Sequence, residues 1–446
     1  MNTNKPSFSE KYSAIIKIIS IAFIILLLLI PTGLIRSLVR EREATQQEAI
    51  WEVSSKWGNS QTITGPIITI PYISYIRGEK NEIIKIKSYA HFLPEELNIN
   101  GKISPELRYR GIYEVIVYES ELHFNGKFNY PDLLEMNIPI ENVLFDEAYI
   151  SIGIPDMRGI EENINVTLND SVYSVNPGVE SNDIIVSGVS TKIKINKKAE
   201  IKEINFNFDI YLNGSDALFF TPVGKETNVN LSSTWNNPGF NGAFLPDERN
   251  VDDNGFSAKW KVLHLNRNYP QQWTENNYNI SESTFGVNLL LPVDAYQKSM
   301  RSAKYAVMFI SLTFLIFFFI EVLNKKRIHP IQYILVGLAL CVFYTLLLSL
   351  SEHIGFKFAY LIAAISTVTL ITLYSKSIFK EKNLTILMGG ILTVLYFYIY
   401  ILLQLQDYAL LLGSIGLFVV LAIVMYLSRK VDWYSTGIKN GQKNNI

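Results

Sequence analysis

The stretch Ile328–Tyr360, IHPIQYILVGLALCVFYTLLLSLSEHIGFKFAY, joins two membrane-length apolar runs through the short polar turn Ser351-Glu352-His353. A helix crossing about 30 Å of hydrocarbon needs roughly 20 mostly apolar residues. Ile331–Leu350 supplies them without a charge. Four further runs repeat the pattern at Ala303–Ile320, Phe356–Leu373, Leu384–Leu403 and Tyr408–Leu427, and a sixth lies near the start at Ile18–Ile35. Lys5, Lys11 and Lys17 precede that first run like the basic region of a signal peptide. Its apolar core, however, leads into Pro31-Thr32-Gly33-Leu34-Ile35-Arg36, with no pair of small residues at cleavage spacing, so it reads as a retained anchor.

Lys and Arg near the spans set orientation, because positive loops stay on the cytoplasmic side. With the N-terminus inside, Lys325, Lys326 and Arg327 fall inside, as do Lys376, Lys380 and Lys382, and Arg429 with Lys430. The outer turns Ser351–Gly355 and Gln404–Asp407 hold no Lys or Arg. Arg36, Arg40 and Arg42 lie outside against the trend, but they open a long segment, and long segments translocate largely regardless of charge. The expectation is an α+β membrane protein with six transmembrane helices, one N-terminal and five C-terminal. It comprises a cytoplasmic N-terminus (1–17), helix 1 (18–35), a large mainly antiparallel-β exported domain (36–301), a five-helix bundle (303–427) and a cytoplasmic tail (428–446).

The one cysteine, Cys341, lies in the third span, so the exported domain must hold together by burial alone. The net charge of −1, with no basic cluster in that domain, excludes a nucleic-acid binder. Ser37–Trp57 has near-helical apolar spacing and is predicted to continue the first span, with Gly58 ending it. Beyond Gly58 the period becomes two: Ile204, Phe206, Phe208, Ile210 and Leu212 alternate with Asn205, Asn207, Asp209 and Tyr211. Similar runs at Ile67–Ile76, Tyr113–Tyr118, Ile184–Ile195 and Phe256–Leu265 predict a sandwich or a large curved sheet.

The segment Pro31–Tyr72, PTGLIRSLVREREATQQEAIWEVSSKWGNSQTITGPIITIPY, resembles the opening of the CreD family of inner-membrane proteins. Landmarks similar to that family's follow in the same order: Leu93-Pro94, Arg110–Tyr113, Gly239–Pro246, Phe285-Gly286-Val287 leading to Pro292–Tyr296, and the block from Lys304 to His353. The resemblance covers almost the whole chain. It implies a cell inner-membrane protein with a periplasmic domain, in a family associated with cell-envelope integrity, envelope stress, β-lactam response and colicin tolerance. It brings no molecular activity with it.

The residues themselves offer little chemistry. His91, His123, His264, His329 and His353 show no metal-ligand spacing to one another or to Cys341. No phosphate-cradling loop or nucleophile elbow is present, and no cofactor is implied; Gly413-Ser414-Ile415-Gly416 lies inside a span, where Ala409, Gly413 and Gly416 are read as helix-packing positions. Ionisable groups near hydrocarbon are costly unless paired or hydrated. Glu352 and His353, Asp407 with Gln404, Glu321 and His329 are therefore the candidate functional polar residues. The structural alternative is hydration in turns for most of them, and an i,i+4 pair with Lys325 for Glu321. Tyr396, Phe397, Tyr398 and Tyr400 either line a pore or pack between helices; Trp433 and Tyr434 fit an interfacial belt; Trp235–Phe240 is a partner-binding loop or a core plug. The reading is a non-enzymatic protein whose partners are the lipid bilayer and envelope components or other membrane proteins. The alternative is a transporter or membrane enzyme built on the helix bundle. A transporter needs a polar cavity at mid-membrane depth, and no charge interrupts the middle of spans three to six.

Overall fold

The computed structural model describes residues 13–77, 82–195, 202–291, 295–324, 326–405 and 408–429. Asp407, Lys325, Trp433 and Tyr434 lie outside these described residues. The chain divides into two compact units, one of Met1–Gln46 with Val293–Ile446, the other Gln47–Pro292.

The first unit is helical. Helix α1 (Ser13–Trp57) contains the first apolar run and the helix expected at 37–57 as one continuous element. It is followed by α2 (Ala295–Lys304), α3 (Ala306–Leu323), α4 (Pro330–Phe379), α5 (Lys382–Gln404) and α6 (Ala409–Ser428). Five of these are long and apolar enough to cross a membrane: α1, α3, α4, α5 and α6. At 1.5 Å per residue a straight α4 would run about 75 Å, more than twice the hydrocarbon thickness. It does not run straight, because Gly355 takes φ 74° and ψ 157° inside it. The rings of Phe343 and Tyr360 lie 5.5 Å apart, whereas a continuous helix would separate them by about 26 Å. The limbs 330–354 and 356–379 therefore fold back on each other, and Ser351, Glu352 and His353 form the last helical turn before the break rather than a loop.

Aromatic packing joins the limbs to their neighbours. Tyr396 of α5 meets Phe309 of α3 at 4.6 Å and Phe343 at 4.8 Å, and its carbonyl accepts from the Tyr360 hydroxyl at 2.7 Å. Tyr396 is thus core, whereas Phe397 is exposed, and Tyr398 donates to the Leu412 carbonyl of α6 at 2.5 Å. α1 packs on α4 where Gly337 leaves room for Leu28; a Cβ there would lie 2.2 Å from Leu28 Cδ1. Of the two glycines in α6, only Gly416 makes a close approach, against Tyr398. Gly413 faces open space, Ala409 is half-buried, and α6 buries no residue. The helix-packing role expected of all three is thus seen at Gly416 and not at Gly413.

The second unit is β. Strands β1 (Gln61–Arg77), β2 (Ile83–Phe92), β3 (Glu96–Arg110) and β4 (Tyr113–Asn129) begin two sheets, of nine and eight strands. In one, β1 pairs antiparallel with β2 and Tyr149–Gly153 and parallel with Ala217–Phe220. In the other, β4 lies between β3 and Glu203–Ser215, and β3 pairs parallel with Glu226–Ser233. Antiparallel pairing dominates as expected, and each sheet also carries one parallel pair, so both are mixed. The two parallel pairs join segments far apart in the chain, which local alternation does not reveal. Period two holds: Ile204, Phe206, Phe208, Ile210 and Leu212 are all buried, and Phe208 stacks on Phe124 at 4.7 Å. Both sheets contribute to one core, which includes Ile67 and Ile70 of β1 together with Ile99 of β3 and Phe124 of β4. Of the run Ile184–Ile195 only Gly188–Lys192 is strand, while Ile185 and Ile193 fill the core from flanking loops. Trp235–Phe240 plugs rather than protrudes, as Phe240 packs edge-on against Phe256 and Trp260.

The hairpin in α4 generates a test. Nothing lies within 4 Å of a Cβ placed on Gly355, so space does not oppose a side chain there; the backbone does. Its φ and ψ fall in a region open essentially to glycine, where other residues pay about 1–3 kcal/mol. Gly355→Ala should lower the melting temperature of the purified full chain, read by light scattering or intrinsic fluorescence. An unchanged melt would mean that the break relaxes to another conformation.

Candidate functional site

Carboxylates in apolar helices are where chemistry or structural pairing must show itself. Glu321, in the last turn of α3, is only 4% exposed. It forms an ion pair with Lys17 of α1 and accepts from the Tyr333 hydroxyl at 3.0 Å and the Ile328 N–H at 2.8 Å. Lys17 also donates to the Ile328 carbonyl at 3.2 Å. The carboxylate thus ties α1, α3, the connecting segment and α4 together; the i,i+4 pair expected with Lys325 falls outside the described residues. Nearby, His329 is an exposed N-cap: Nδ1 accepts from the Ile331 N–H at 3.3 Å while Gln332 Oε1 accepts from the His329 N–H at 3.0 Å. Lys326 pairs with Glu381 at 2.6 Å.

A second polar cluster forms around the Gly355 break. Glu352 was expected to be a hydrated turn residue, but its side chain is 9% exposed and occupied. The Tyr296 hydroxyl donates to Oε1 at 2.9 Å and Arg42 Nε lies 3.9 Å from the same oxygen. Arg36 Nε donates to the Ala303 carbonyl at 3.3 Å, and Arg301 caps the C-terminus of α5 through the Leu402 and Leu405 carbonyls. His353 and Gln404 are exposed. Lys17 and Arg36 sit on one helix, about 28 Å apart by its rise. That matches the hydrocarbon thickness of a bilayer. Each polar cluster therefore falls where a membrane-embedded helix bundle would meet its interfaces, and neither lies midway.

In the β unit a polar network closes the end of α1. Asp156 accepts from the Asn59 backbone N–H at 3.0 Å and its side-chain amide at 2.8 Å, and from Arg158 Nε and Nη2 at 2.8 and 2.7 Å. The Arg158 guanidinium holds this carboxyl down to about 2. Arg158 also donates to the Ser55 carbonyl, satisfying one of the orphan acceptors at a helix C-terminus. Gly58 makes the turn possible: its φ is +150°, and a Cβ would meet the Asn213 carbonyl at 2.6 Å. Gln61 completes the network by donating to the Asp156 and Asn213 carbonyls at 2.9 and 3.2 Å. Trp57–Gln61 belong to the opening segment that carried the family resemblance. Asp156 and Arg158 had no signal of their own.

Among the histidines, His91 stands in a hydroxyl, imidazole and carboxylate series. Thr69 Oγ1 lies 3.0 Å from Nδ1 and Asp183 Oδ2 lies 3.2 Å from Nε2. A nucleophile needs an open face, yet Thr69 is 2% exposed on a strand paired along both edges at that residue. The series is core bonding. Burial pushes the His91 pKa down, with Asp183 opposing. His123 pairs with Asp209 on the surface at 2.7 Å. Among the described residues no group of three or more His, Cys, Asp or Glu is placed to hold a metal ion.

The family model described as "Inner membrane protein CreD" matches residues 13–434. The chain is 33% identical over 425 residues to Inner membrane protein CreD of Escherichia coli (strain K12), covering 94% of this chain and 93% of that protein.

The Lys17–Glu321 tie predicts strong coupling. Lys17→Met leaves a buried carboxylate short of its cation and should cost up to about 3 kcal/mol, while Lys17→Met with Glu321→Leu should recover much of it. Thermal melts of the wild type, Lys17→Met, Glu321→Leu and the double variant in detergent test this, and additive losses would refute the tie. The β unit should in turn lose stability in acid. The folded-state His91 pKa is depressed, so its contribution is fully present above the unfolded value of about 6.5. It is lost as pH falls below that value, where the unfolded chain binds more protons. Melts of the full chain between pH 7.5 and 5 should show this component, and His91→Gln should remove it. A wild-type melt flat across that range would contradict the assignment.

Proposed function

The chain belongs to the CreD family of inner membrane proteins, and we propose that it contributes to cell-envelope integrity and the envelope-stress response as a non-enzymatic membrane protein. On this reading the β unit is periplasmic and contacts envelope components or other membrane proteins. The membrane portion has six spans, with the limbs of α4 counted separately, and both termini are cytoplasmic. Lys326, Arg327, Lys376, Lys380 and Lys382 support this orientation, since they cluster at the helix ends and connections of one side while the break at 351–355 carries no Lys or Arg.

The observation that carries the non-enzymatic reading is the occupancy of Glu321 and Glu352. These are the two described carboxylates best placed for transport or proton chemistry, and each is held by groups from other helices. The aromatic centre between them is filled by Phe309, Phe343 and Tyr396.

Single cysteines test the arrangement in a Cys341→Ser background. Asn254→Cys, at an exposed hairpin tip, should react with an impermeant thiol reagent in cells whose outer membrane alone is permeabilised, and Asn440→Cys should not. The reverse pattern would overturn it. In the same cells, loss of the chain should sensitise growth to detergent and β-lactam, and Thr69→Val should restore resistance as the wild type does. Failure of that variant at normal abundance would point to an enzyme using the Thr69, His91 and Asp183 series.

A further inference from the structure

The second limb of α4 and helix α5 touch through their tyrosines and where Gly389 admits Thr372, but do not close over Lys357–Thr369. They leave a groove of about 540 Å³, within the range of sites that hold small organic ligands. Lys357, Leu361, Ile365 and Thr369, at every fourth position of the limb, form one wall, and Phe397 and Tyr400 of α5 stand on the other. Ala364 is small enough to keep the middle open above the Tyr360–Tyr396 contact. From Lys357 to Thr369 the groove runs about 18 Å, roughly the depth of one leaflet. Leu361, Ile365 and Phe397 are all more than half exposed, so it opens sideways to whatever surrounds the helices.

The two ends of the groove differ. Lys357 lies at the level of the Glu352 cluster, two residues beyond the break, and the ammonium of Lys298 stands over the neighbouring Phe356 ring at 5.7 Å. The nearby carboxylate Glu352 is already engaged by Arg42 and Tyr296. Among the described residues, positive charge is therefore in surplus where the apolar channel meets the interface. We propose that this groove binds an anionic phospholipid, its headgroup at Lys357 and one acyl chain lying between Ile365 and Phe397. Basic side chains at the mouth of an interhelical pocket select anionic headgroups by this kind of complementarity. The inference needs only that the helices sit in a bilayer, and stands whichever side of the membrane the β unit occupies.

The full chain reconstituted in vesicles of equal parts phosphatidylglycerol and phosphatidylcholine, then extracted in mild detergent and washed, should retain phosphatidylglycerol by about fivefold over phosphatidylcholine in mass spectrometry of the intact complex. Lys357→Gln, an exposed change that leaves the packing intact, should bring that ratio to about one. Ala364→Trp, which fills the groove, should abolish retention of both lipids. No preference in the wild type would overturn the proposal, as would a preference unchanged in Lys357→Gln. Dimerisation through the groove would do so as well, shown by a mass of two chains that Ala364→Trp returns to one.

Discussion

A bilayer offers no hydrogen bonds to a buried charge, and the helical unit is arranged around that fact. Helix α1 must present cations at each end of its apolar run. Lys17 meets Glu321 at one end, while Arg36 and Arg42 meet the Ala303 carbonyl and Glu352 at the other. These contacts position α1 against α2, α3 and the first limb of α4. Between them the packing is aromatic and aliphatic, with Phe314 and Phe317 against Tyr333 and with Phe309 against Tyr396. A carboxylate left without its cation here would have no solvent to fall back on, so the polar ends limit which helices can be neighbours.

Much of this was legible in the residues. Apolar runs of the right length mark the helices, because the bilayer demands length and composition rather than a particular order of side chains. Alternation at Ile204–Leu212 reports a half-buried strand for a similarly local reason. What escaped is long-range. Glu321 finds a cation in Lys17, and nothing near Glu321 announces a partner at the other end of the chain. Glu352 reads as a wetted turn residue until α2 supplies Tyr296. Parallel pairing of β3 with Glu226–Ser233, and the clasp that Asp156 and Arg158 place on the end of α1, likewise depend on segments that meet only in the folded unit.

Without a cysteine, the β unit relies on packing and on such clasps. Trp260, Phe124, Phe128, Phe220 and Phe285 are nearly inaccessible, and each buried aromatic of this kind contributes on the order of 2–3 kcal/mol. The same core removes Thr69 and His91 from solvent. A hydroxyl, an imidazole and a carboxylate in sequence are therefore no argument for catalysis unless a substrate can reach them.

The separation of Lys17 from Glu321 along the chain has a consequence during synthesis. Glu321 follows by about 300 residues, which a ribosome takes roughly 15–60 s to add. Throughout that interval the whole β unit is being made, and the first helix waits in the membrane with its lysine facing headgroups and water. The lysine's long alkyl stem suits that wait, since it can reach the interface before it has a partner. The ion pair is thus one of the last contacts the N-terminal helix makes, and the bundle can close only once the third apolar run has emerged with Tyr333.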